Sequence, residues 1–283
     1  MADSNAPLGS VVIPAHDEAA VIGRTLRRLT TGVEPGQLEV VVACNGCTDD
    51  TVGAATSSGV PVTIVDLPEA GKARAIRAAE AMVTTLPRLY LDADVGLDGQ
   101  SALAVVRALR GGAVAARPPF VYDTGRASRL VRRYYRQRGR LPGVGADLCG
   151  AGVYGLSASA RARFGPFPDV IADDLFAARV VTASEVTIVD CAPAEVVVPA
   201  DVWSLVRTLA RAHRGNRQLF VRSPDFARGT TGPIVSSLLH SLARPNETLD
   251  AVVYAGVAVA GRIAARGNAT TWARDHTSRV VPA

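Results

Sequence analysis

Two aspartates one residue apart, Asp92 and Asp94 in the run Leu89-Tyr90-Leu91-Asp92-Ala93-Asp94, are the sharpest chemical feature of this sequence. They follow an apolar run that reads as a strand, so both carboxylates fall at a strand end. There they can share a hard divalent cation, Mg2+ or Mn2+, which takes few protein carboxylates and keeps the oxygens of a bound diphosphate in its shell. An isolated Asp-x-Asp is equally an ordinary loop with a helix-capping aspartate, so the decision falls to its neighbours.

Lys72 is the only lysine among 31 Lys and Arg residues. It stands in Gly71-Lys72-Ala73-Arg74-Ala75 at a predicted helix start, where the backbone N–H groups and a flanking cation suit a phosphate or an electron-rich base edge. The acidic pair Asp173-Asp174 opens a second helical run that extends to Arg179. It reads either as an N-terminal cap favoured by the helix dipole or as a general base at a helix start. Cys44-Asn45-Gly46-Cys47 has redox or zinc spacing, but Cys149 and Cys191 supply no second Cys-x-x-Cys. The segment reads better as a strand-to-helix turn bent at Asn-Gly, with Thr48 or Asp49 capping the next helix. His213, in Arg211-Ala212-His213-Arg214, is a third metal ligand, a diphosphate contact or a surface histidine.

These residues need a frame, and the first half of the chain supplies a regular one. Short β-rich runs at 10–14, 38–43, 61–65, 88–92 and 112–117 alternate with helical segments at 18–30, 48–57, 71–84 and 100–110. Strands alternating with helices of that length predict a mostly parallel sheet covered on both faces. Ligands of such sheets sit beyond the carboxyl ends of the strands, and the polar clusters at 16–18, 45–50 and 92–94 fall there. After residue 117 the pattern loosens. A basic stretch at 126–140 carries seven arginines interleaved with Tyr134 and Tyr135. It reads as a solvated helix face or as a surface for a phosphorylated or membrane-associated partner. A glycine-rich segment at 143–155 follows, then a helix near 201–220, two apolar helices near 233–242 and 249–265, and a polar end.

Composition bounds the rest. The chain has 283 residues, 48% hydrophobic, enough for one large α/β domain with an appendage. A formal charge of +5 admits an anionic partner without requiring one, and no nucleic-acid recognition motif accompanies the arginines. The apolar run 251–261 is shorter than the roughly 20 residues a membrane span needs. Residues 1–10 carry no basic stretch and no long apolar run, so the expected location is a reducing cytoplasm with free cysteines.

Taken in order, the motifs resemble the family 2 glycosyltransferases of the GT-A fold over residues 9–220. Val11-Val12-Ile13-Pro14-Ala15-His16-Asp17-Glu18 is similar to the family's opening strand and nucleotide loop. Asn45 to Thr51 looks like its second nucleotide-contact turn, Gly71 to Ala75 its basic helix start, and Asp92-Ala93-Asp94 its metal motif. Asp173-Asp174 is similar to its acidic pair, whose second member is usually the base, and Arg211-x-x-Arg214 to a late basic motif. The chain departs from the family where Cys44 and Asn45 replace two acidic residues and where Gly215 replaces a tryptophan.

The resemblance implies an α/β GT-A fold with a mostly parallel central sheet flanked by helices. It implies a catalytic domain over 1–222, with a nucleotide-binding half at about 9–117 and an acceptor half at about 118–222, followed by a helical extension over 223–283. It further implies a metal-dependent, inverting, hexosyltransferase-type enzyme that uses a UDP- or GDP-sugar and Mg2+ or Mn2+. Pro14, Ala15, His16, Glu18, Asn45, Lys72 and Asp92 would hold the nucleotide-sugar. Asp92 and Asp94, with His213, would hold the metal. Asp174 would be the base, and Asp173, Gly150, Arg211 and Arg214 would lie on the acceptor side. The acceptor hydroxyl would be lipid-linked or phosphorylated, with the enzyme resting on the inner face of the membrane. A sugar-phosphate nucleotidylyltransferase is the enzymatic alternative, against which Pro14-Ala15-His16 stands where a longer glycine-rich loop would be needed. A non-catalytic nucleotide-sugar-binding module is the other, against which the three aspartates Asp92, Asp94 and Asp174 weigh.

Overall fold

The structure is a computed structural model that describes residues 6–223 and 232–267. Most of the polar end expected after residue 265 lies outside the described residues. The first elements alternate as expected: β1 (Gly9–Ala15), α1 (Ile22–Thr30), β2 (Leu38–Asn45), α2 (Thr51–Thr56), β3 (Thr63–Leu67), α3 (Lys72–Met82), β4 (Arg88–Leu91), α4 (Gly99–Arg110) and β5 (Ala115–Arg117). They are followed by β6 (Phe120–Asp123), α5 (Arg129–Gly139), β7 (Val153–Leu156), α6 (Ala158–Arg161), α7 (Asp173–Val180), β8 (Val186–Ile188), β9 (Ala194–Val197), α8 (Val202–Arg222), α9 (Gly232–Leu242) and α10 (Thr248–Ala264).

Seven strands form one sheet in the order β3-β2-β1-β4-β7-β5-β8. The β3-β2-β1-β4 half and the β5-β8 pair are parallel. β7 runs antiparallel to both its neighbours. A separate two-stranded sheet pairs β6 with β9. Val11, Val12 and Ile13 of β1 and Val41, Val42 and Ala43 of β2 have no exposed surface, as expected for parallel strands covered on both faces. Helix α1 buries Ile22, Thr25, Leu26 and Leu29, the i, i+3, i+4, i+7 spacing of a one-sided apolar stripe. Gly155 on β7 lets α4 approach the sheet: a Cβ there would lie 2.7 Å from Leu109 Cδ1 and 3.3 Å from Val105 Cγ1.

Two points differ from the sequence reading. The cap of α2 is Asp50, whose carboxylate accepts from Gly53 N–H, rather than Thr48 or Asp49. Asp49 is held instead by the N–H groups of Thr51 and Ala19. The glycine-rich segment also ends in a strand, β7, inserted between β4 and β5.

The described chain forms two compact units. One holds residues 6–121 and 147–196, and the other 122–146 and the described residues from 197 onward. The second unit therefore gathers α5 with the C-terminal helices. Ala127, Val131, Tyr134, Val198, Leu205, Val206 and Val257 form its core. There the basic run meets an acid: Arg133, Arg136 and Arg140 reach the buried carboxylate of Asp250 at 3.0, 3.0 and 3.2 Å. Arg138 Nε donates to Tyr122 Oη at 2.9 Å. Four arginines of the expected solvated face are thus engaged inside this unit.

Candidate active site

Strand β4 delivers Asp92 just beyond its last paired residue. Its N–H donates to Gly152 C=O at 2.8 Å, continuing the β4–β7 ladder. Gly152 is required there. Its φ of +64° is left-handed, and a Cβ would stand 2.5 Å from Val95 Cγ2 and 3.2 Å from Asp92 Oδ2. The first turn of α7 brings Asp173 to the same place. Lys72, the first residue of α3, lies between them, with Nζ 2.7 Å from Asp92 Oδ1 and 2.8 Å from Asp173 Oδ1.

Support for this bridge extends outward. Tyr154 Oη donates to Asp173 Oδ2 at 3.1 Å, and its ring stacks on Tyr90 with centroids 4.8 Å apart. Tyr90 and Tyr154 are cross-strand partners, and Tyr90 lies on the same face of β4 as Asp92, two residues on. Tyr90 Oη donates to Glu80, a buried carboxylate that also accepts from Arg88 and, through two nitrogens, from Arg161.

Three carboxylates and one ammonium influence one another at the centre. Burial works against the Lys72 ammonium, but Asp173 and Asp92 outweigh it and raise its pKa, so it stays charged. Burial raises the pKa of Asp92, and the nearby carboxylates of Asp173 and Asp94 add to that rise against the pull of Lys72. Three carboxylates around one ammonium gather hard oxygen donors, which suit Mg2+ or Mn2+ and not a soft metal.

Asp173 and Asp174 are separated by their environments. Asp173 is 2% exposed and committed to Lys72 and Tyr154. Asp174 is only partly buried; its Oδ2 accepts from Gly150 N–H at 3.1 Å and its Oδ1 from Leu175 N–H at 2.8 Å. Gly150, with φ +90°, turns its N–H toward Asp174.

The nucleotide-loop residues gather at the carboxyl ends of β1 and β2. Asn45 is 1% exposed and its amide is used internally: Nδ2 donates to Ala15 C=O at 2.7 Å and Oδ1 accepts from Gly71 N–H at 2.8 Å. Asn45 therefore ties the first two strands to the start of α3 and so helps place Lys72. His16 Nδ1 lies 2.5 Å from the Asn45 carbonyl. Glu18 is buried, with its N–H donated to Thr51 Oγ1 at 2.7 Å. Pro14 is partly and Ala15 fully buried. Arg211, His213 and Arg214 stand on α8 in the second unit, each partly buried. Burial, with Arg262 nearby, lowers the pKa of the His213 imidazole. Sequence reasoning missed Tyr154 and Gly152; the only signal for them was the glycine-rich segment in which they lie.

The family model for glycosyl transferase family 2 matches residues 10–159, more than half of the chain. The chain belongs to glycosyl transferase family 2. No curated protein matches this family 2 chain, but solved structures do. A mannosyltransferase from Pyrobaculum calidifontis, solved with GDP-Man and Mn2+, is 22% identical, with a TM-score of 0.59 over 93% of this chain and 78% of that one. Glucosyl-3-phosphoglycerate synthase from Mycobacterium tuberculosis, solved with Mn2+, UDP and glucosyl-3-phosphoglycerate, is also 22% identical, with a TM-score of 0.51 over 75% and 78% of the two chains. The same synthase solved with Mg2+ and UDP gives 20% and 0.51 over the same shares. The α/β fold with a mostly parallel central sheet is thus the GT-A fold of nucleotide-sugar glycosyltransferases. No helix among the described residues is long and apolar enough to cross a membrane.

Proposed function

We propose that this family 2 glycosyltransferase moves a hexosyl group from a UDP- or GDP-sugar to an acceptor hydroxyl with inversion, using Mg2+ or Mn2+. The observation that carries the reading is the bridge of Lys72 between Asp92 and Asp173, with Asp94 close by, at the carboxyl end of β4. Asp92 and Asp94 would hold the metal, whose contribution when bound is to offset the charge of the departing nucleoside diphosphate. Lys72 adds a fixed positive charge beside it, and Asp173 keeps Lys72 in place. His16 and Glu18 stand in the loop assigned to the nucleotide, and Asn45 positions rather than contacts. Asp174, the more accessible member of its pair, takes the proton of the attacking hydroxyl, and Gly150 N–H orients its carboxylate.

The test is a calorimetric titration of Mn2+ with UDP or GDP, together with turnover. EDTA should abolish transfer and Mg2+ or Mn2+ should restore it. An Asp94→Asn protein that keeps full metal-dependent turnover would overturn the assignment.

For the acceptor, the second unit favours a lipid-linked hydroxyl. Leu249, Val252, Val259 and Ile263 on α10 are each about half exposed and recur every three to seven residues along one face, with Arg262 and Arg266 beside them. Such a stripe suits resting on an anionic bilayer surface. Flotation with acidic vesicles at low salt should carry the protein upward; if it stays behind, the lipid-linked reading falls and a soluble acceptor takes its place.

A further inference from the structure

Helix α3 does more than present Lys72. Three of its side chains reach the stretch from the end of α6 to the start of α7, and they do so in reverse chain order. Lys72 Nζ meets Asp173 at 2.8 Å. Arg77 Nη1 donates to Phe167 C=O at 2.6 Å. Glu80 accepts from Arg161 Nε and Nη2 at 2.7 and 2.8 Å. Positions 72, 77 and 80 thus meet 173, 167 and 161, so this stretch lies antiparallel along α3 over about 12 Å at 1.5 Å per residue. Residues 162–172 belong to no helix or strand, and no regular ladder fixes their path.

Arg161 is the tightest point. One guanidinium holds both carboxylate oxygens of Glu80 and, through Nη1, the carbonyls of Phe164 and Gly165 at 2.9 and 3.1 Å. A rigid planar fork can bind in two such directions at once, which an ammonium cannot fix. The guanidinium also covers the Phe164 ring, 4.4 Å from its centroid. Phe164 and Phe167 then meet Phe176 of α7 with centroids 5.0 and 5.9 Å apart. The side chains of Arg161 and Glu80 are 18% and 7% exposed. A buried pair of this kind adds little net stability over apolar side chains of the same volume. What it supplies here is direction.

We propose that Arg161, assisted by Arg77, is a positioning residue for the general base: gripping α3 on one side and the Phe164–Phe167 turn on the other, it sets α7 so that the Asp174 carboxylate meets Gly150 N–H. The inference rests on the reading of Asp174 as the base. Lys72 is placed independently, because Asn45 Oδ1 holds Gly71 N–H at the start of α3. Loss of the arginine grip therefore acts on the base side of the centre and leaves the donor side in place. Cys149 reports on the base side directly. It is partly buried and adjoins Gly150, and burial, then the charge of Asp174, push its thiol up to about 12. A displaced α7 exposes that thiol and removes the charge that suppresses its ionisation.

The test uses Arg161→Lys, which keeps the charge and loses the fork, and Arg77→Met, which should act in the same direction to a smaller extent and carries the test if Arg161→Lys does not fold. Hydrolysis of a UDP- or GDP-hexose is followed with Mn2+, water serving as acceptor. Arg161→Lys should lower kcat by roughly 10–10²-fold, the usual result of a small misplacement, with KM for the donor changed by less than about twofold. In the absence of donor, its Cys149 should be alkylated by iodoacetamide at least about tenfold faster, read by mass spectrometry, while Cys44, fully buried on β2, stays inert. Unchanged Cys149 alkylation, a loss confined to donor KM, or faster alkylation of Cys44 as well would each overturn the proposal, the last by showing that the arginine serves overall stability. If Asp174→Asn leaves hydrolysis intact, or the unmutated protein hydrolyses neither donor, the reading of the base or of the transferase falls instead, and the alkylation rates still decide whether Arg161 places α7.

Discussion

Asp173 in the first unit and Asp250 in the second are both buried carboxylates facing cations, and their charge ratios are inverted. Around Asp250 three guanidiniums share one carboxylate. Burial pushes the Asp250 carboxyl up, but hydrogen bonds from Arg136, Arg133 and Arg140 outweigh it and hold it at about 2. Around Lys72 the carboxylates outnumber the ammonium, and Asp92 is shifted the other way. A saturated carboxylate is a structural clamp, because nothing is gained by adding another cation. A cluster in which several carboxylates surround one ammonium offers oxygen donors to a metal cation. The two centres differ in stoichiometry of charge and not in residue type, so substitutions should separate them cleanly.

The largest effect is expected at the acidic pair. Asp174→Asn should cut turnover by roughly 10²–10⁴-fold, the usual worth of a positioned general base, while calorimetric affinity for the nucleoside diphosphate survives. Asp173→Asn should act differently, lowering both stability and metal affinity because it loosens Lys72. A reversal of the two phenotypes would move the base to Asp173 and reduce Asp174 to a cap of α7.

Next comes the clamp. Asp250→Ala removes the carboxylate that three guanidiniums share and should cost about 3 kcal/mol in chemical unfolding. That is the lower end for breaking a buried pair, because the three arginines keep a third to a half of their side chains exposed. Acid sharpens the contrast. A carboxyl depressed to about 2 contributes stability that is complete above its ordinary value near 3.9 and lost only as pH falls toward 2. The raised Asp92 carboxyl takes up its proton earlier, so Mn2+ affinity should decline from above the ordinary carboxylate range while the second unit stays folded. Mn2+ titrations across pH, read beside near-ultraviolet circular dichroism, distinguish the two. Mn2+ affinity that holds down to pH 4 would place Asp92 outside the metal site.

How much of this was legible in the sequence follows from which interactions are local. β1, β2 and β4 announce themselves as unbroken apolar runs, and the lone Lys72 beside Gly71 marks a helix start without any knowledge of its partners. The bridge to Asp92 and Asp173 joins residues 20 and 101 positions from Lys72, and nothing in the local pattern encodes it. The same holds for the basic run: spacing along α5 reads as a solvated face, but its acid lies more than a hundred residues later at Asp250. β7 was hidden because four residues beside several glycines look like loop, and its burial comes from neighbours on both sides. Asn45 was legible as a polar residue at a strand end. That its amide is used on Ala15 and Gly71 depends on the register of β1 against β2.

The smallest effect expected is also the most diagnostic of how the Lys72 centre is held. Tyr154 is 3% exposed, and its ring is fixed by stacking on Tyr90, whose own hydroxyl is tied to Glu80. Tyr154→Phe keeps the ring and removes one donor to a buried carboxylate. A hydrogen bond to a charged group is worth about 1.5–3 kcal/mol, with the stacking left intact. The expected loss in unfolding free energy is at the lower end, about 1.5 kcal/mol, because the Lys72 ion pair still compensates Asp173. Coupling supplies the control that a simple packing defect would fail. If the Tyr154 hydroxyl acts through Asp173, Tyr154→Phe should cost markedly less in an Asp173→Ala background, and the double-mutant cycle should return most of that energy as interaction. Losses that simply add would mean that the hydroxyl serves the β4–β7 core and that Asp173 is placed by Lys72 alone. In that case the Lys72 bridge, and not the tyrosine stack, keeps the acidic cluster assembled.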